Sequence, residues 1–267
     1  MSFYLRFLVG FSLLILCAYG AVCLIIFFNQ ENLIFHPSVV ALKSEYDLGI
    51  PHTEKNIPVG KAAVINGILC RVPNSRGLIF FLHGNAGNVS DTRGAAEFYT
   101  LLGYDFFSFD YRGFGKSTGK ISGEKQFYND VQVIYNELKK TYAEQEIIIA
   151  GYSIGTAPAA MLAAANHPKK LILMAPYYSM KELARYHYPY VPVFLLKYKF
   201  ETFAFLQRIQ LPVLIGHGKN DGTIPFEQSL KLSKLLRNGK LSGLDGEGHN
   251  GVQSNGIFQE ELRKFLD

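Results

Sequence analysis

Gly151-Tyr152-Ser153-Ile154-Gly155 places a serine between glycines two residues before and two after it. It directly follows the apolar run Ile147, Ile148, Ile149, Ala150 and precedes an Ala-rich stretch. Small residues at these positions let a chain leaving a strand turn sharply into a helix, which thrusts the serine hydroxyl out at the carboxyl end of the sheet. Ser153 is thus a nucleophile candidate, with a plain turn serine as the bland alternative; Gly151, Tyr152 and Gly155 would form its elbow. A serine needs a general base at neutral pH, and the base needs a carboxylate to hold its tautomer. Asp221, in His217-Gly218-Lys219-Asn220-Asp221-Gly222-Thr223-Ile224-Pro225, follows the apolar run at Val213. His249, in Gly246-Glu247-Gly248-His249-Asn250, follows a weaker apolar run before the terminal helical stretch. The order Ser153, Asp221, His249 differs from the orders of chymotrypsin-like and subtilisin-like proteases.

Each assignment has rivals. Asp221 would also suit capping of the next helix, and Asp245 or Glu247 offers another carboxylate, although Asp245 is too near His249 in sequence to approach it from the sheet edge. Among the histidines, His36, His52, His167 and His187 lack a matching loop, and His217 at a strand end suits a structural hydrogen bond. Attack by a serine also needs donors for the oxyanion of the tetrahedral intermediate. The N–H of Ile154 is one; the other is expected from His83-Gly84-Asn85-Ala86-Gly87-Asn88, with Asn85 favoured because Gly84 and Gly87 let the backbone turn inward. His83 reads as a brace for that loop. The glycines of Asp110-Tyr111-Arg112-Gly113-Phe114-Gly115-Lys116-Ser117 match neither phosphate-binding spacing, so a structural turn is expected there.

The elements that must position these residues alternate along the chain. Short apolar runs at 78–82, 104–109, 147–150, 171–174, 213–216 and, more weakly, 240–244 are separated by helix-compatible segments, which suits a buried parallel sheet with helices on both faces. Residues 62–65 and 68–72 flank Asn66-Gly67, a strong hairpin signal, so an antiparallel pair is expected first. A helix is expected over 122–140, with Ser122 as its capping residue, and another from Pro225. Residues 177–209, rich in Tyr and Phe, are too long for a plain crossover and are expected to form a small cap.

With 267 residues, 48% of them hydrophobic, the chain can build one large α/β domain. The net charge of +5 is scattered and gives no nucleic-acid footprint. Cys17 and Cys23 lie in the N-terminal apolar segment and Cys70 stands alone, which leaves no intradomain disulfide and no metal-ligand spacing. Residues 7–28 carry no charge and are long enough to cross a bilayer core. A cleavable signal peptide is the alternative, but strongly apolar residues continue past Ala18-Tyr19-Gly20. Arg6 before the segment and Glu31 after it place the N-terminus in the cytoplasm and the rest on the non-cytoplasmic side. The expected organisation is an anchor over 1–30, a connector over 31–60 and a hydrolase-type domain over 61–267.

The HGN-AGN loop, DYRGFGKS, GYSIG, HGKNDGTIP and GEGHN, in this order, resemble the α/β-hydrolase superfamily across residues 77–267. The N-terminal span followed by Leu33-Ile34-Phe35-His36-Pro37 resembles the membrane-anchored abhydrolase-domain proteins related to serine aminopeptidases. The resemblance implies an α/β-hydrolase fold with an eight-stranded, mostly parallel sheet, no metal or organic cofactor, and hydrolysis through an acyl-enzyme. It says little about substrate, since the subgroup is similar to lipases, acyl-protein thioesterases and peptidases alike. The expected function is a serine hydrolase for esters or thioesters of lipid-like acyl substrates. A serine peptidase and a non-catalytic binding protein on the same fold are the alternatives.

Overall fold

The apolar runs of the sequence become the strands of one twisted sheet in this computed structural model, which describes residues 2–61 and 63–267. Met1, at the start of the expected anchor, and Ala62, at the start of an expected strand, lie outside the described residues. The strands are β1 (Thr53–Val59), β2 (Ala63–Cys70), β3 (Leu78–Leu82), β4 (Asp105–Phe109), β5 (Ile147–Tyr152), β6 (Lys170–Met174), β7 (Val213–Gly218) and β8 (Gly239–Leu244). Their order is β8-β7-β6-β5-β3-β4-β2-β1, with β2 antiparallel to β1 and β4 and the remaining neighbours parallel. This is the mostly parallel eight-stranded sheet expected of an α/β-hydrolase fold.

Residues apolar on both sides of a strand must be covered on both sides. Helices α4 (Glu124–Leu138), α5 (Thr156–Ala165) and α8 (Phe226–Ser233) supply one layer, where Phe127, Ile134 and Leu232 meet Phe80, Phe109 and Ile149. Helices α3 (Arg93–Leu101) and α9 (Gly256–Leu266) supply the other, where Tyr99 and Phe258 meet Phe81, Phe106 and Ile148. The insertion between β6 and β7 folds as α6 (Met180–His187), a helical turn at Val193–Leu195 and α7 (Thr202–Leu206). At the N-terminus, α1 (Phe3–Phe28) is a 26-residue helix with no buried residue and an 18-residue stretch of mean hydropathy 2.6, and the short α2 (Gln30–Ile34) follows it.

Three expectations need correction. The hairpin is present, but Asn66-Gly67 is not its turn: both residues lie inside β2, opposite Asn56 and Lys55, and the chain reverses after Gly60. Gly67 serves a close approach instead, because a Cβ there would sit 2.6 Å from Phe107 Cζ and 2.8 Å from the Ser108 carbonyl. The Asn66 carboxamide bonds Glu54 and Asn56 across the ladder. The connector over 31–60 is not a plain linker: it contains β1, and Phe35, Tyr46 and Leu48 are buried in the core. Ser122 does not cap α4; Gly123 occupies that position without a side-chain cap, and the Ser122 N–H bonds Gln126 Oε1 at 3.0 Å.

The tight packing over Gly67 predicts that Gly67→Ala destabilises the fold by about 1–3 kcal/mol, read as a lower urea midpoint with an unchanged slope.

Candidate active site

Ser153 sits where β5 ends and a single helical turn leads into α5, at a φ of +52°. Side-chain-bearing residues rarely enter this left-handed region. The glycines around it are required by contact: a Cβ at Gly151 would lie 2.6 Å from the Gly155 carbonyl, and one at Gly155 would lie 2.2 Å from the Leu82 carbonyl. The turn is tied down by Thr156 Oγ1, which donates to the Ser153 carbonyl at 2.6 Å. Tyr152 reaches the other way, its hydroxyl donating to Asn250 Oδ1 at 2.9 Å, beside His249.

The structure brings all three expected residues together. His249 Nε2 lies 3.1 Å from Ser153 Oγ, and its Nδ1 lies 2.6 Å from Asp221 Oδ2. Asp221 Oδ1 accepts the N–H groups of Thr223 and Ile224, each at 2.8 Å. Burial by itself would raise the pKa of Asp221, but the hydrogen bonds from His217, His249 and the Ile224 N–H outweigh it and hold the carboxyl well below its ordinary range. A carboxylate fixed as the anion can orient His249 with Nε2 as the acceptor for a serine proton. The rivals stand elsewhere: Asp245 pairs with Lys219, and the Glu247 carboxylate bonds the Gly248 N–H and Asn255 Nδ2.

His217 takes part more directly than the sequence indicates. Its fully buried ring directs Nε2 to Asp221 Oδ2 at 3.1 Å and to the Ile224 carbonyl at 2.9 Å. Both partners only accept, so Nε2 carries hydrogen, and in the neutral ring the Ser229 hydroxyl donates to Nδ1 across 2.5 Å. The four-residue spacing of His217 and Asp221 was the available signal; Ser229, on α8, carried none.

The loop after β3 borders the same space. Ser153, Ile154 and Asn85 all line one cavity. The Ile154 N–H falls in the first turn of a helix, where N–H groups have no intrahelical acceptor, and the Asn85 N–H finds no acceptor among the described residues. Asn85 itself is held by its side chain, which donates to the Ile34 carbonyl at 2.7 Å, and by its carbonyl, which accepts the His36 N–H at 2.8 Å. His83 braces this loop through Nδ1, 2.8 Å from the Gly84 carbonyl, and burial pushes its pKa down to about 4, leaving the ring neutral at pH 7. Asp110 anchors the neighbouring turn by accepting the Val89 N–H at 2.7 Å and the Tyr46 hydroxyl at 2.5 Å. Gly115 packs so closely that a Cβ would meet Asp110 Oδ2. Burial pushes Asp110 up to about 6.

Ser153 stands between two unlike cavities. One, of about 360 Å³, is walled by apolar side chains of α6, the cap turn and the N-terminal helices. The other, of about 300 Å³, is lined by Asn88, Asp91, His249, Asn250 and Gln253 and is the more polar.

The amino-acid sequence matches the serine aminopeptidase family, S33, over residues 73–204. It is 34% identical over 204 residues to alpha/beta hydrolase domain-containing protein 17B of Xenopus tropicalis, covering 73% of this chain and 67% of that protein. The human protein of the same name is 33% identical with the same coverage. The chain belongs to the α/β-hydrolase superfamily. Solved structures agree on the fold: an esterase of Pyrococcus furiosus superposes with a TM-score of 0.70 at 21% identity, over 87% of this chain and 98% of that one. A Butyrivibrio proteoclasticus protein with ferulic acid bound gives 0.67 at 23% identity, over 79% and 97%. These matches support a hydrolase.

His217→Ala would leave the Ile224 carbonyl and one lone pair of Asp221 unpaired in the interior, and is expected to destabilise the fold by about 1–3 kcal/mol near neutral pH. Asp221 has a lowered folded pKa, so its contribution is complete above the unfolded value of about 3.9 and is lost as pH falls through the folded value. Removing His217 takes away one of the hydrogen bonds that lower the folded value and moves it toward the unfolded one. The stability gap between wild type and variant, measured by urea unfolding, is therefore expected to be full above pH 5 and to shrink below pH 4.

Proposed function

We propose that this α/β-hydrolase cleaves carboxylic esters or thioesters of acyl chains, with Ser153 as nucleophile, His249 as general base and acid, and Asp221 as its orienting carboxylate. The observation that carries the reading is the apolar cavity of about 360 Å³ that opens at Ser153, next to the hydrogen-bonded series Ser153, His249, Asp221. An apolar channel ending at a serine suits an acyl chain whose carbonyl carbon stops at Oγ.

In this mechanism Ser153 Oγ attacks the acyl carbonyl while its proton passes to His249 Nε2. The N–H groups of Ile154 and Asn85 receive the oxyanion. Collapse breaks the bond to the alcohol or thiol, which leaves toward the more polar cavity and takes the proton from His249. The acyl group now on Ser153 is released by the same steps, with water as nucleophile and His249 as its base. The match to the serine aminopeptidase family raises the peptidase alternative, but no carboxylate lines the apolar cavity among the described residues to hold a peptide amine.

We further infer that α1 is a single-pass membrane anchor, with its N-terminus in the cytoplasm and the hydrolase domain on the other side. Its length and its 18-residue stretch of mean hydropathy 2.6 support the span, and Arg6 ahead of the apolar run supports the orientation. A reporter that is active only in the cytoplasm, fused after Asp267, is expected to remain silent; strong activity would reverse the orientation.

Fluorophosphonate labelling of the full-length chain tests the nucleophile. Wild type is expected to be labelled and Ser153→Ala not, with ester turnover falling at least about a thousandfold. A folded wild type that takes no label would refute the catalytic reading and favour a binding role for the fold.

A further inference from the structure

The apolar cavity at Ser153 is not enclosed by the hydrolase domain alone. Its far wall is built from Ile26 at the end of α1 and from Leu33 and Ile34 of α2, facing Leu183, Val193 and Leu196 of the cap. These two walls are fastened to each other by polar contacts. The Gln30 carboxamide donates to the Leu195 carbonyl at 2.7 Å and accepts the Lys197 N–H at 2.9 Å. Glu31 accepts from the Tyr198 hydroxyl at 3.0 Å and pairs with Lys197 at 3.2 Å. Further back along α1, the Tyr19 hydroxyl donates to the Tyr190 carbonyl at 2.7 Å. From residue 19 onward, therefore, α1 runs along the cap.

That placement sets a depth. At 1.5 Å per residue, residues 7–18, the uncharged part of α1 ahead of the cap, span about 18 Å. A bilayer core is roughly 30 Å thick. A membrane crossed by α1 must then reach past residue 19 and onto the cap, whose nearby Tyr186, Tyr188, Tyr190 and Phe194 are all exposed. Tyr and other amphipathic aromatic rings favour this boundary level. Counted from Phe7, Ile26 in the cavity wall then lies about 30 Å along α1, at the outer edge of the acyl chains.

We propose that α1 and α2 form the acyl subsite itself, and that the substrate is a membrane-resident ester or thioester with a long acyl chain, which enters sideways between α1 and the cap. The anchor is a wall of the site rather than a tether. Polar leaving groups face the second cavity beside Asp91 and Gln253, on the water side of Ser153. This inference rests on the acyl-hydrolase reading above, and the two fail separately.

The full-length chain in phosphatidylcholine vesicles is assayed with p-nitrophenyl butyrate and p-nitrophenyl palmitate, taking the ratio of kcat/KM for palmitate to that for butyrate. Ile26→Trp, which fills the wall, is expected to lower this ratio at least tenfold. Leu33→Trp, from the rim, is expected to lower it in the same direction and guards against loss of folding in the first variant. Leu14→Trp, on the part of α1 clear of the cap, is expected to leave it within twofold. Fluorophosphonate labelling reports that each variant is folded. Labelled Ile26→Trp and Leu33→Trp proteins with the wild-type ratio would overturn the subsite while leaving the hydrolase reading intact. A labelled wild type inactive on both esters would overturn the ester reading, and the subsite with it.

Discussion

The Ser153 backbone, at a φ of +52°, lies in a region that costs a side-chain-bearing residue on the order of 1–3 kcal/mol and persists only where surrounding structure over-determines it. Here the surroundings are the sheet centre and α5. Strand β5 is paired on both sides, with β3 and β6, so its end cannot shift. Helix α5 starts close enough to β3 that only a glycine at 155 clears the Leu82 and His83 carbonyls. The contact that forces the elbow thus also brings the His83-Gly84-Asn85 loop against Ser153. The expected nucleophile and both expected oxyanion donors share one packing constraint.

A second constraint is electrostatic. An ionised carboxylate in the interior loses its water, and that loss is offset only if hydrogen bonds replace it. Asp221 receives two side-chain and two backbone donors, from His249, His217, Thr223 and Ile224. The Thr223 and Ile224 N–H groups belong to the turn that Asp221 itself begins, so loop shape and charge stabilisation are the same feature. His217 adds a donor that does not depend on that turn. Its own orientation is fixed from the opposite side by Ser229 on α8, which couples the position of the carboxylate to the helix packed behind it.

These constraints explain what could be read from the sequence. The elbow and the loops of Asp221 and His249 were legible because each ends an apolar run and carries glycines, a signal local to a few residues. Asn66-Gly67 misled for the complementary reason: the pair has strong turn propensity, but Gly67 is needed where Phe107 and Phe109 of the neighbouring β4 approach it, and only the assembled sheet shows that. The stretch over 31–60 was illegible for want of periodicity. Its anchors, Phe35, Tyr46 and Leu48, are too sparse and too widely spaced to form a helical or strand pattern. The hydrogen bond of Tyr46 to Asp110, 64 residues away, leaves no trace in composition.

Those sparse anchors carry a mechanical consequence. The Ile34 carbonyl and His36 N–H hold Asn85, and Tyr46 holds Asp110, which in turn holds Val89 at the far end of the same loop. The segment leaving α1 is therefore clamped to the loop that offers the Asn85 N–H. A flexible tether of the same 20 or so residues would have a root-mean-square reach of about 25 Å, enough for the cap to turn away from a membrane entirely. The clamps remove that freedom. With α1 as the proposed span, they hold the domain in one attitude to the bilayer. The Asn85 loop and the cavity wall formed by α2 are two ends of one short, bonded stretch of chain.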